Sequence, residues 1–113
     1  MTRYYLLIPH IEAEWRAKTP AEQVAVFAVH EEFAELLAKR GHTILTGYGA
    51  ALTEPSTAVT VRASGLTEGP YTEAAEHIAG LYVVDSEDLV DLAECCKVLA
   101  RAESAIEIRA KEE

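Results

Sequence analysis

The apolar positions of the chain follow two different periods, and the places where the period changes mark its elements. Arg3–Ile8, "RYYLLI", is an apolar and aromatic run that ends at Pro9, which predicts a strand. It does not alternate, so both faces of that strand are expected to be covered. Thr19 then caps a helix with Pro20 in its first position and Glu22 completing a capping box. At about 100° per residue, Val26, Val29, Phe33, Leu36 and Leu37 form one stripe of this helix, and Glu31, Glu32, Glu35 and Lys39 face away. His30 lies on the flank of the stripe beside Leu37. Gly41 terminates the helix.

Thr43–Tyr48 and Thr57–Arg62 read as two further strands, joined by the loop "GAALTEPS". "ASGLTEGPY" is rich in turn residues, and "TEAAEH" has enough helix formers for one or two turns. Ile78–Asp85, "IAGLYVVD", is the strongest strand of the chain. Ser86 is placed to cap a second helix in which Leu89, Leu92, Ala93, Cys96 and Leu99 keep helical spacing. Ala105–Arg109 alternates cleanly, with Ile106 and Ile108 inward and Glu107 and Arg109 outward. Only the final "AKEE" reads as a frayed end.

The order β-α-β-β-(turn)-β-α-β predicts a ferredoxin-like α+β fold, one domain over residues 1–113, with an antiparallel sheet and two helices on one face. That arrangement leaves the opposite sheet face bare, although the first and fourth strands are apolar on both sides. A homodimer packed sheet against sheet follows as an expectation, with a small-ligand cleft near the seam.

Composition narrows the partners. Of 113 residues, half are hydrophobic and 26% are charged, with a formal net charge of −9. Nucleic-acid binding rests on neutralising phosphates, so no nucleic acid is expected as a partner, and an acidic surface disfavours anionic membranes. The N-terminal apolar stretch is too short for a signal-peptide core or a span, and a cytoplasmic location is expected. Cys95 and Cys96 are the only cysteines. Adjacent cysteines form a strained disulfide, so reduced thiols are the simple reading and a redox pair the alternative.

"RYYLLI", "TPAEQVAVFAVHEEFAELLAKRG", "TAVTVR" and "TEGPYTEAAEHIAGLYVVD", in this order from Arg3 to Arg109, resemble the YCII-related proteins, in particular their DGPF-motif branch. The motif falls on Glu68, Gly69, Pro70 and Tyr71, with Glu68 standing where the motif has aspartate. Glu73 and Glu76 match the acids that follow it, Gly80 the glycine before the strand, and Ala75 stands where lysine is frequent. The resemblance implies a dimeric α/β barrel of ferredoxin-like subunits. In a few relatives it implies a first-helix histidine paired with an acid in lyase-like chemistry on small ring compounds. Others resemble accessory proteins of alternative sigma factors.

His30 is the leading candidate for chemistry. An imidazole titrates near neutral pH and serves as general acid or base on a cleft wall, or as a hydrogen-bonded group at a helix margin. Asp85 is a candidate for its acid partner, although an acid just before a helix also suits the helix dipole. Glu68, Tyr71 and Glu73 around the Gly–Pro turn, and Tyr48 at a strand end, are candidate ligand contacts. His10, His42 and His77 read as loop or turn residues. Glu73 and His77 have i,i+4 spacing without a third ligand, and "HIE" at His10 lacks the cysteine pair of a deaminase, so no metal site and no cofactor are expected. "GYG" at Gly47–Gly49 precedes no helix and reads as no phosphate loop.

Two functions therefore remain. One is a cofactor-free lyase or isomerase acting on a small polar or ring compound through His30, in a cleft closed by the Glu68–Tyr71 turn. The other is a non-catalytic dimeric accessory protein.

Overall fold

In the computed structural model, which describes residues 1–113, the period-2 runs pair into one antiparallel sheet and the period-3.6 runs cover one of its faces. The elements are β1 (Thr2–His10), α1 (Glu12–Ala17), α2 (Pro20–Lys39), β2 (Thr43–Ile44), β3 (Ala50–Ala51), β4 (Val59–Arg62), β5 (Gly65–Glu68), β6 (His77–Ser86), α3 (Leu89–Leu99) and β7 (Glu107–Ala110). The strand order is β2–β6–β1–β7, with β3 on the same edge of β6 as β2 and β4–β5 forming a separate hairpin. This mixed α+β arrangement, an antiparallel sheet with three helices, is compatible with a ferredoxin-like fold. No helix is long and apolar enough to cross a membrane.

Side-chain alternation assigns the two sheet faces. The register pairs Tyr4 with Val84, Leu6 with Tyr82 and Ile8 with Gly80, so these six share one face. On that face Tyr4, Leu6, Ile8 and Val84 join Phe33 and Leu37 of α2 and Leu92, Cys95, Cys96 and Leu99 of α3 in one buried core. Val26, Phe33 and Leu37 are the buried members of the expected α2 stripe, while Val29 and Leu36 lie half-buried at its margins. The opposite face carries Arg3, Tyr5 and Leu7 of β1 against Asp85, Val83 and Leu81 of β6.

Both ends of α2 form as the sequence predicts. Thr19 and Glu22 make the reciprocal capping box. At the other end Gly41 adopts φ +82°, its N–H reaching the Ala38 carbonyl while His42 N–H bonds that of Leu37 at 3.0 Å. This is a Schellman closure, in which only glycine takes the left-handed position without strain. It turns His42 inward, where it is 6% exposed.

Several boundaries differ from expectation, each for a local reason. The supposed loop before Thr19 contains α1, whose first turn holds Glu12 and Glu14 and whose last holds Arg16, matching the helix dipole. The expected strand Thr43–Tyr48 stops at Ile44 because Leu45 and Tyr48 close a turn, with Gly47 at φ +86°. Pro55 starts a short 3₁₀ turn over Pro55–Thr57, which delays the next strand to Val59. "ASGLTEGPY" contains β5, and "TEAAEH" forms bends, not helix, with Thr72 Oγ1 accepting from Ala74 N–H. Asp88, not Ser86, caps α3 by accepting from Asp91 N–H.

Gly49 shows how closely the segment after β2 rests on β6. A Cβ there would lie 2.6 Å from the Leu81 carbonyl oxygen and 3.3 Å from Tyr82 Cα, both backbone atoms. Gly49→Ala is expected to push this segment off the sheet and to destabilise the protein by about 1–3 kcal/mol, read from urea unfolding. An unchanged midpoint would show that the segment moves freely.

Candidate active site

The site lies at one end of the helix-covered face, where β1, α2 and the chain after α3 converge. In β1 the inward row Tyr4, Leu6, Ile8 continues to His10. A register shift between Ile8 and Pro9 gives β6 one extra residue, Ala79, beside this end. Such bulges bend a strand and re-aim its side chains. His30 projects from α2 one turn before Phe33, and Tyr82 comes from the inward row of β6. Glu103 follows α3, held by its N–H bond to the Leu99 carbonyl at 3.1 Å.

These four side chains form one hydrogen-bonded unit. Glu103 is 6% exposed, and its carboxylate is bridged by two imidazoles. His10 Nε2 lies 2.5 Å from Oε2, and His30 Nε2 lies 2.8 Å from Oε1. With His30 neutral and Nε2–H donating to the carboxylate, Nδ1 is left as the acceptor for the Tyr82 hydroxyl at 2.6 Å. Burial, and secondarily the charge of Glu103, raise the Tyr82 pKa above its ordinary value, so its phenol stays protonated at neutral pH. The relay runs from carboxylate to imidazole to phenol.

The unit closes one end of a cavity of about 620 Å³ with a mainly apolar lining. Ile8, Trp15, Val26, Phe27, Ile44 and Gly80 supply much of that wall. Trp15 stacks on His10 at 5.3 Å and meets Phe27 edge-on at 5.9 Å, which braces the imidazole and leaves aromatic surface for a ligand. The outer wall is the segment between β2 and the Pro55 turn. It is tied to α1 by an Arg16–Glu54 ion pair and by Ser56 Oγ donating to Glu12 at 2.8 Å. Arg16 holds the Glu54 carboxyl below the usual carboxylate range.

The expected site residues are distributed unevenly around this geometry. His30 is at its centre. Asp85 is on the opposite sheet face, gripped by Arg3 through Nε–Oδ1 and Nη2–Oδ2 contacts of 3.0 and 3.3 Å, and that pair lowers its pKa. The carboxylate beside His30 is that of Glu103. Glu68, the last residue of β5, and Tyr71 and Glu73 just beyond it are all exposed, and Arg62 lies over the Tyr71 ring at 5.9 Å. Tyr48 is 71% exposed and does not line the cavity, although Gly47 and Gly49 on either side do. The wall facing His30 is thus the segment following β2, in the place expected for the Gly–Pro turn. The cavity also lies on the helix side of the sheet, away from the expected seam.

Three participants escaped the sequence reading. His10 carried a usable signal, since it continues the alternate row Tyr4, Leu6, Ile8 past Pro9. Tyr82 was hidden by the uniform apolarity of its strand. Glu103 is one of 19 acidic residues, in a connector without periodicity, and no local pattern separates it from the others. The chain matches no protein-family model and no curated protein.

Proposed function

We propose that the protein binds a small, largely apolar ring compound bearing an oxygen, and moves a proton on it without a cofactor, as a lyase or isomerase. The observation that carries this reading is the Glu103–His30–Tyr82 relay closing the end of an apolar cavity. His30 Nδ1 takes a proton from a carbon next to the ligand's carbonyl, and the electron pair of the broken C–H bond moves onto the carbonyl oxygen. The Tyr82 hydroxyl, turned from Nδ1 to that oxygen, donates a hydrogen bond to the developing enolate. Glu103 steadies the imidazolium that forms, and His10 fixes Glu103 from the other side. Return of the proton to another carbon isomerises the ligand; loss of a leaving group completes an elimination. The resemblance to YCII-related proteins supports the same chemistry, and membership of that family, with a cytoplasmic location, is part of the proposal.

The test is proton exchange in D2O on a panel of small cyclic ketones and lactones that raise the melting temperature, followed by NMR. Wild type should wash out the acidic C–H, and His30→Ala should slow this about 100-fold or more. Tyr82→Phe should slow it less while retaining binding. Equal exchange by wild type and His30→Ala would remove His30 from the chemistry.

We propose further that the subunit pairs through its open sheet face into a dimeric α/β barrel. The apolar members of that face that keep part of their surface exposed, Tyr5, Leu7 and Leu81, support this. It is also the surface on which a non-catalytic accessory role would depend. Leu7→Glu should shift the species seen in sedimentation from dimer to monomer; an unaltered dimer would place the contact elsewhere.

A further inference from the structure

A second cluster of chemically capable side chains sits at the opposite end of α2, apart from the cavity. His42 follows the Schellman turn, and Asp91 and Cys95 lie one helical turn apart on α3. His42 Nε2 lies 2.7 Å from Asp91 Oδ2, and Cys95 Sγ lies 3.9 Å from the same oxygen. One donor atom from each residue falls within 4.8 Å of the other two. We propose that His42, Asp91 and Cys95 bind one borderline divalent cation of the zinc class, clasping the end of α2 to α3.

Donor chemistry selects the ion. A thiolate with an imidazole suits Zn²⁺ and disfavours Mg²⁺ or Ca²⁺, which take oxygen donors. Bonds of about 2.0–2.3 Å in tetrahedral geometry separate donors by about 3.3–3.7 Å. The His42–Asp91 pair therefore opens slightly on binding and the widest pair closes, movements within side-chain reach. The backbones need not move, because two ligands share one helix and the third is fixed by the turn at Gly41.

The surroundings of His42 fit the ring tautomer that ligation needs. A cation on His42 Nε2 requires the ring proton on Nδ1, and Nδ1 faces Ser86 Oγ at 2.8 Å. Ser86 Oγ also accepts from Asp88 N–H at 3.0 Å and lies 3.2 Å from the Asp88 carbonyl, where its own proton can go. Ser86 thus orients the ring as outer partners of metal-bound histidines do. Burial and the neighbouring Asp91 raise the Cys95 thiol pKa, so the cation itself must displace that proton on binding. Arg40 pairs with the other Asp91 oxygen, Oδ1, which leaves Oδ2 for the ion. Arg40 is half-exposed, so water screens its charge. The fourth position falls to water at the partly exposed Asp91 edge.

Cobalt(II) is a suitable probe, because a thiolate ligand gives it a charge-transfer band. Reduced, chelator-treated full-length protein should take up one Co²⁺ with that band, and Zn²⁺ should displace it and raise the melting temperature. Cys95→Ala should abolish the band and weaken uptake at least tenfold, whereas Cys96→Ala should keep both. Ser86→Ala should weaken Co²⁺ uptake about 10–100-fold with the band retained. His30→Ala should leave uptake unchanged, separating this site from the cavity. A folded wild type without the band, or a band that survives Cys95→Ala, would overturn the proposal.

Discussion

Replacing Phe33 by alanine is expected to destabilise the protein by about 3–5 kcal/mol, the range for deleting a buried aromatic side chain. Phe33 is fully buried between α2 and the sheet, with no exposed surface through which the site could refill with water. Its ring also meets that of Tyr82 at 5.6 Å and 54°, a tilted contact that adds about 0.5–1.5 kcal/mol beyond area burial. Against a total of about 5–15 kcal/mol for a domain of this size, the loss is severe. Urea unfolding would show it as a lower midpoint at unchanged slope. Phe33→Leu, which keeps most of the volume, should cost about 1 kcal/mol. The pair carries a functional consequence as well. Phe33 holds the ring whose hydroxyl meets His30, so Phe33→Leu should slow proton exchange more than it lowers stability. A Phe33→Leu variant exchanging at the wild-type rate would show that Tyr82 needs no such support.

That double duty explains what the sequence could reveal. Period and capping are local properties, and they placed the apolar face of α2, the two ends of that helix and the strong strand that became β6. His30 was legible for the same reason, since helical geometry sets it beside Leu37. The partner acid was not, because pairing between α2 and a connector 73 positions away depends on how α3 lies across the sheet. Asp85 looked suitable by type and position. In a strand, however, one residue decides the face, and Asp85 falls in the row opposite to Tyr82 and Val84. The turn around Gly69 and Pro70 likewise carries a clear local pattern, yet it folds against β4 through Thr60 Oγ1 donating to the Gly69 carbonyl and stays outside the cavity. His42 and Cys95 were each visible, but only the turn at Gly41 and the approach of α3 bring them together.

Glu103 separates stability from chemistry most sharply. Glu103→Ala removes the acceptor of two imidazole N–H groups at once. A stranded buried donor costs about 1–3 kcal/mol. The side chains of His10 and His30 keep 27% and 22% of their surface exposed, so water recovers part of that loss. About 2–4 kcal/mol is therefore expected for the double loss. Glu103→Gln keeps the volume and one acceptor oxygen, but its amide nitrogen confronts one imidazole N–H. One ring must then carry its proton on Nδ1. If that ring is His30, Tyr82 no longer finds an acceptor; if it is His10, the neutral amide still steadies the His30 imidazolium less than the carboxylate does. Glu103→Gln should accordingly cost only about 1 kcal/mol in urea unfolding while slowing proton exchange at least as much as Tyr82→Phe. Glu103→Asp, shorter by one methylene, cannot reach both rings and should fall between Ala and Gln in stability. Wild-type exchange by Glu103→Gln would reduce the carboxylate to a structural tie between β1 and α2. Wild-type stability of Glu103→Ala would show that the two histidines are satisfied without it.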